Sequence, residues 1–195
     1  IVFFDHFLGD TMEERWNSSV GAGGTVGVID NFGGILELTS TNINAVSKID
    51  FNNFRPFDVT LNPVVKWRFK YGTSVEFIQM EIKIGVYNAS NIQDFVVFSN
   101  NPVGSSVNWL AICNAAGVQT TFDTGLALDN KWHFIKLKVS SGAVQFWYDG
   151  NLITVISTNI PTLSLQPWAM VSTSNITGKS IDLDYFHMRA DQASP

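Results

Sequence analysis

The chain is poor in the residues that usually reveal a chemistry. It has a single cysteine, Cys113, among 195 residues, so no intrachain disulfide can form. That cysteine lies in the apolar stretch Trp109-Leu110-Ala111-Ile112-Cys113 and reads as a small buried hydrophobe. The three histidines, His6, His133 and His187, are scattered, which with one cysteine excludes a zinc site of ordinary type. No G-x-S-x-G elbow is present, so a serine-nucleophile arrangement of that kind is not expected. Charged residues make up 15% of the chain, against about 25% in an average domain, and the net charge is −5 with no basic run. A footprint for a phosphate backbone is therefore missing, and nucleic acid is not an expected partner. No apolar run approaches the ~20 residues of a membrane helix, so no membrane insertion is expected. The start, Ile1-Val2-Phe3-Phe4-Asp5, has neither an initiator Met nor a charged n-region and reads as a processed start rather than a signal peptide.

What is present is β-sheet chemistry. Helical periodicity is confined to one turn at Asp10-Thr11-Met12-Glu13-Glu14-Arg15-Trp16, with Asp10 or Thr11 as its cap. Elsewhere short runs of Val, Ile, Phe and Trp alternate with Gly, Asn, Ser and Pro clusters, the pattern of a sandwich or barrel. The runs predict strands near 2–7, 25–30, 34–40, 45–51, 63–70, 76–87, 93–98, 107–113, 118–123, 132–140, 143–149, 152–157, 168–174 and 180–189. Asp149-Gly150 is a strong hairpin signal because it accepts the positive φ of a tight primed turn, and Ser140-Ser141-Gly142 joins its two flanking runs in the same way. Residues 132–157 thus predict a three-strand meander. The fold class expected is all-β, a two-sheet antiparallel β-sandwich, as one domain over residues 1–189 with a polar tail at 190–195.

The period of two assigns faces. In 76–87, Ile78, Met80, Ile82, Ile84 and Val86 share a core face, while Phe77, Gln79, Glu81, Lys83 and Tyr87 share the other. Ile135, Leu137 and Val139 point to the core in their strand, Val144, Phe146 and Tyr148 in the next, and Val65, Trp67 and Phe69 oppose Lys66, Arg68 and Lys70. Placing 76–87 in one sheet with 132–149 would gather Gln79, Glu81, Lys83, Lys136, Lys138, Gln145 and Trp147 on one polar face.

The segment Lys131-Trp132-His133-Phe134-Ile135-Lys136-Leu137-Lys138-Val139, followed by Gly142 and Val144-Gln145-Phe146-Trp147-Tyr148-Asp149-Gly150, resembles the laminin-G/concanavalin A-like jelly-roll sandwich. The opening Phe4-Asp5-His6-Phe7 with Trp16, and the ending Ile181-Asp182-Leu183-Asp184-Tyr185-Phe186, are similar to the first and last strands of such modules in phage structural proteins and bacterial surface proteins. The resemblance implies one convex and one concave sheet, with glycans on the concave face or its rim. Glucanases of this fold carry carboxylates on one strand as Glu-x-Asp-x-(x)-Glu. Here Glu76 and Glu81 match the outer spacing, but Ile78 stands where the middle Asp belongs, and the odd separation turns the two glutamates to opposite faces of an unbulged strand.

The expectation drawn is a non-catalytic surface domain, a virion structural or decoration domain or an adhesin-type module, extracellular or on a virion surface. Its expected partners are carbohydrate and other copies or structural proteins of an assembly, with Phe51, Phe54 and Phe57 either forming such a contact or capping the core. Glycan would lie against Trp147 and Gln145, helped by Glu81, Gln79, Tyr87 and Lys136. No catalytic residue, metal ligand or cofactor is assigned. Calcium is left open by the resemblance, with Asp94 near Asn91 or Asp123 near Asp129 as donors. The alternative is a polysaccharide-active enzyme of the same fold, a glycoside hydrolase or lyase.

Overall fold

The computed structural model describes residues 2–8, 11–29, 34–72, 80–100, 108–174 and 178–191. Among these residues the chain forms β1 (Val2–Asp5), β2 (Asn17–Val20), β3 (Gly24–Ile29), β4 (Ile35–Ser40), β5 (Val46–Asp50), β6 (Val64–Tyr71), β7 (Met80–Asn88), β8 (Asn91–Asn100), β9 (Asn108–Ala115), β10 (Val118–Ala127), β11 (His133–Val139), β12 (Val144–Tyr148), β13 (Asn151–Ile156), β14 (Gln166–Thr173) and β15 (Lys179–Arg189). They build two antiparallel sheets. The first runs β13-β12-β11-β6-β15-β4-β3, with β1 also on β15, and the second runs β10-β9-β8-β7-β14-β5-β2. The architecture is the expected jelly-roll β-sandwich, closed by pairing of the two terminal strands, Val2 opposite Arg189.

Local signals explain most of the register. The turn after β12 places Asp149 at φ 46° and Gly150 at φ 84°, the two positive values a primed two-residue hairpin requires, and 133–156 is the predicted meander. The expected helical turn is a hydrogen-bonded turn instead, with Trp16 N–H donating to the Glu13 carbonyl at 3.0 Å; Asp10 lies outside the described residues. Too few residues separate it from β2 for a helix to repay its nucleation cost. A 3-10 turn at Val59–Leu61, capped by the Asp58 carboxylate on Thr60 N, was not signalled.

The alternation fixed the core correctly. Trp67, Phe69, Ile82, Ile84, Ile135, Leu137, Val139, Val144 and Phe146 are all buried between the sheets. Cys113 is fully buried there, and burial pushes its thiol up to about 12, consistent with a packing role. The opening motif has a physical reason. Asp5 accepts from the Trp16 indole N–H and from Phe7 N–H, both at 2.6 Å, and Trp16 packs edge-on against Phe51 and Phe186. Phe51 and Phe57 are buried, whereas Phe54 is exposed, so the phenylalanine-rich connection mainly caps the core.

Truncating Ile84 or Phe146 to Ala should lower stability by about 2–5 kcal/mol. Lys138→Ala, at an exposed position, should stay within about 0.5 kcal/mol of the parent. Denaturant unfolding measures both, and equal effects at the two kinds of site would contradict the face assignment.

Candidate functional site

The two sheets differ on their outer faces. The first sheet alternates, with β6 and β11 burying every second side chain. The central strands of the second sheet are buried on both faces, Asp94 to Asn100 of β8 and Trp109 to Asn114 of β9 without a break. Beyond the main core, a second apolar cluster therefore forms on the outside of this sheet from Tyr87, Phe95, Val97, Leu110, Ile112, Trp168 and Met170. The register aligns it in rows. Phe95, Tyr87 and Gln166 lie side by side, as do Ser99, Lys83, Met170 and Lys48.

This cluster floors a hollow of about 430 Å³. Tyr87 and Trp168 pack with ring centroids 4.8 Å apart, and Phe95 meets Trp168 at 6.1 Å. Lys83 Nζ stands 5.8 Å from both the Phe95 and Trp168 rings, and Lys48 Nζ 5.7 Å from Tyr87. The Trp168 indole nitrogen is buried without a hydrogen-bond partner among the described residues. Asp50, buried beside the hollow, holds two of its lining residues, accepting from Tyr87 O–H at 2.6 Å and Lys48 Nζ at 3.2 Å as well as from Asn52 N–H at 2.9 Å. Burial, reinforced by the Asp50 carboxylate, raises the Tyr87 phenol well above its ordinary range, so Tyr87 is a neutral donor. An aromatic floor with ammonium, carboxylate and hydroxyl groups at its edge suits a sugar ring, whose C–H faces are apolar and whose equator is polar.

The sequence-selected residues divide between the two outer faces, because β7 belongs to the second sheet while β11 and β12 belong to the first. The shared polar face is thereby corrected. Glu81 and Tyr87 go to the hollow side, with Glu81 paired to Lys83 at 3.0 Å. Lys136, Gln145 and Trp147 meet on the opposite side of the molecule. There Trp147 donates to Gln145 at 3.3 Å, and Lys136 Nζ stands 3.5 Å from the Trp147 ring centroid. Gln79, like Glu76, Phe77 and Ile78, lies outside the described residues. Asp50, Lys48, Phe95 and Trp168 were missed. For Phe95 and Trp168 the signal was the unbroken apolar runs 95–98, 109–113 and 168–171, which mark strands covered on both faces rather than one; Lys48 and Asp50 carried none.

The suggested calcium donors are committed elsewhere. Asp94 holds Asn91 Nδ2 and Ala116 N, Asp123 holds Asn108 Nδ2 and Gly125 N, and Asp129 holds His133, whose other ring nitrogen meets Asp149. Among the described residues no three His, Cys, Asp or Glu side chains converge as a metal site, and no helix is long and apolar enough to cross a membrane.

The odd-numbered, outward positions of β7 read Glu81, Lys83, Gly85 and Tyr87, so a single carboxylate stands on this stretch of strand. A Cβ at Gly85 would collide with the Val96 carbonyl oxygen, which keeps that position a glycine. Register places Ser172 directly beside Glu81 and Val46 beyond it. Asp50 is two strands over and four residues along, about 16 Å away by strand spacing and rise, too far to share a glycosidic bond with Glu81.

No family model and no curated protein sequence matches the chain. Solved structures do. A β-1,3-glucanase from Mycobacterium marinum superposes with a TM-score of 0.69 at 15% identity, covering 96% of this chain and 97% of that one. The Bacillus licheniformis β-glucanase gives 0.71 at 11% identity, over 98% of each. The apo Crh5 transglycosylase gives 0.71 at 12% identity, over 100% of this chain and 85% of that one. At such identities the likeness establishes the concanavalin A-like jelly-roll fold. The expectation of a non-catalytic virion or adhesin domain is corrected by the same comparison, since the three neighbours named are two β-glucanases and a transglycosylase.

Asp50 supplies a pH test of the rim. Burial alone would raise its carboxyl, but the bonds from Tyr87 and Asn52 and the Lys48 charge outweigh it and hold the group below its ordinary 3.8. A carboxyl lowered by folding contributes stability above the unfolded value, and the contribution is lost as pH falls through the folded value. Below about pH 4, wild-type stability should therefore fall more steeply than that of Asp50→Asn, and the two curves should draw together. Parallel curves through that window would show that Asp50 is not held as described.

Proposed function

We propose that the chain is a polysaccharide-active domain, of the glycoside hydrolase or transglycosylase class, that seats a glycan in the hollow on the outside of its second sheet. The observation that carries this reading is the aromatic floor of Tyr87, Phe95 and Trp168 rimmed by Lys48 and Lys83, with Asp50 holding Tyr87 and Lys48 in place. The fold it shares with glucanases and a transglycosylase supports it. The sugar ring would lie against Trp168 and Tyr87, its hydroxyls taking bonds from the lysines.

Glu81 is the carboxylic acid assigned to the chemistry. Its carboxylate, ion-paired with Lys83 at 3.0 Å on the same outer face as the hollow, would take the proton of the water that attacks the anomeric carbon, while the departing glycosidic oxygen draws its proton from solvent. Asp50 is given a positioning role only, since it is spent on Tyr87 and Lys48. Glycosyl transfer of this class uses two carboxyl groups 5–10 Å apart, and the described residues of this face contribute Glu81 alone at that range. Lyase chemistry has no support in the geometry, because His133 and His187 lie in strands of the other sheet and His6 directly follows β1 of that sheet.

Incubation with β-1,3-, β-1,4- and mixed-linkage glucans, read by release of reducing ends or by change in chain length, tests the reading. Wild type should act on at least one polymer, and Glu81→Gln should reduce the rate by about 100-fold or more. Trp168→Ala should weaken binding by about ten-fold. Turnover that is unchanged in Glu81→Gln, or no turnover of any polymer, would reject the assignment.

A further inference from the structure

The outer face of the first sheet carries an arrangement that the hollow does not explain. Strand pairing sets Trp147, Lys136, Lys66 and His187 in one transverse row across β12, β11, β6 and β15, with Phe4 of β1 at its end. Lys136 and Lys66 are direct cross-strand partners. Like charges placed opposite each other on neighbouring strands destabilise a sheet. Lys138 and Arg189 flank the same row one pleat away, on β11 and β15.

Among the described residues these cations are not neutralised. Arg68 pairs with Asp184, and Lys70 with Asp182 at 3.1 Å. Among the described residues, Lys66, Lys136, Lys138 and Arg189 have no carboxylate within ion-pair distance, in a chain of net charge −5. The acids that border the patch are engaged elsewhere, Asp149 with His133 and Phe134 N and Asp191 with Asn62. Burial and the neighbouring Lys66, Lys138 and Arg189 charges all push Lys136 down from its ordinary value, and His187 Nδ1 is buried with no hydrogen-bond partner among the described residues. Two hollows open onto the row. One, of about 410 Å³, is bounded by Lys66, Lys136, Trp147 and Phe134, and the other, of about 380 Å³, by Lys138, Gln145 and Arg189.

We propose that this face is a second binding site, for an anionic polysaccharide, in which a carboxylate or sulfate group sits between Lys66 and Lys136 and a neighbouring sugar packs on Trp147. Uncompensated ammonium groups held in register give the bound anion charge-assisted hydrogen bonds. The anion in turn relieves their mutual repulsion, which accounts for two opposed lysines being tolerated. The aromatic rings beside them favour a sugar-bearing anion over a bare phosphate chain. The site does not depend on the hydrolase reading, since it lies on the opposite sheet from Glu81.

Affinity electrophoresis or calorimetry on the full chain, with polygalacturonate, dextran sulfate, a neutral β-glucan and duplex DNA at low and high salt, tests it. Wild type should bind polygalacturonate or dextran sulfate, with the tighter of the two identifying the anion, and added salt should weaken the complex. Lys66→Gln combined with Lys136→Gln should reduce that binding by at least about ten-fold, and Glu81→Gln should leave it unchanged. The double variant should also melt no lower than wild type without ligand, because a repulsive pair has been removed, and this guards against a folding artefact. Absence of binding to both anionic polymers, equal binding by the double variant, or duplex DNA bound as tightly as the polysaccharides would each overturn the proposal.

Discussion

The structure rests on the pleat of its strands. Each strand sends alternate side chains to opposite faces, and a two-sheet sandwich buries one set from each sheet against the other. The set left over must find water, a covering or a ligand. In the first sheet that set is Lys66, Arg68, Lys70, Lys136 and Lys138, which face solvent while Val65, Trp67, Phe69, Ile135 and Leu137 fill the core. In the second sheet the set is Tyr87, Phe95, Val97, Ile112, Trp168 and Met170, which is apolar and largely covered. The same backbone rule thus makes one outer face basic and the other aromatic, and both candidate sites follow from it.

The strand pattern and core were legible in the sequence because they depend on this local alternation and on turns with specific backbone needs. Asp149-Gly150 is one such turn, and its two positive φ values fix the β12–β13 hairpin. The Asp5 carboxylate, tied to Trp16 and Phe7, is a further local device that the opening motif advertised. Membership of a sheet was not legible, because it is decided by contacts between segments far apart in the chain. Strand β7 pairs with β8 and β14 rather than β11 or β12, and that single fact splits the proposed polar face into Glu81 and Tyr87 on one side and Lys136, Gln145 and Trp147 on the other.

The electrostatics of the two faces point to different sugars. Around the aromatic hollow each charge has a partner, Lys48 with Asp50 and Lys83 with Glu81, so the site has little net charge and suits a neutral chain recognised through hydroxyls and C–H faces. Across the other sheet Lys66, Lys136, Lys138 and Arg189 lack such partners among the described residues, which selects for an anion. A protein with both faces occupied would hold two kinds of polysaccharide on opposite sides of one small domain, with about the thickness of two packed sheets between them, roughly 10 Å at the backbone.

The proposed function stands or falls on whether a neutral glycan occupies the outside of the second sheet. It is tested most directly by titrating a short β-glucan oligosaccharide into isotopically labelled protein and following amide and indole resonances. The Trp168 indole N–H and the amides of 46–50, 83–87 and 166–170 should shift, with 134–138 and 144–148 unmoved. Perturbation confined to the strands around Trp147, or an unmoved Trp168 indole at saturating sugar, would contradict it.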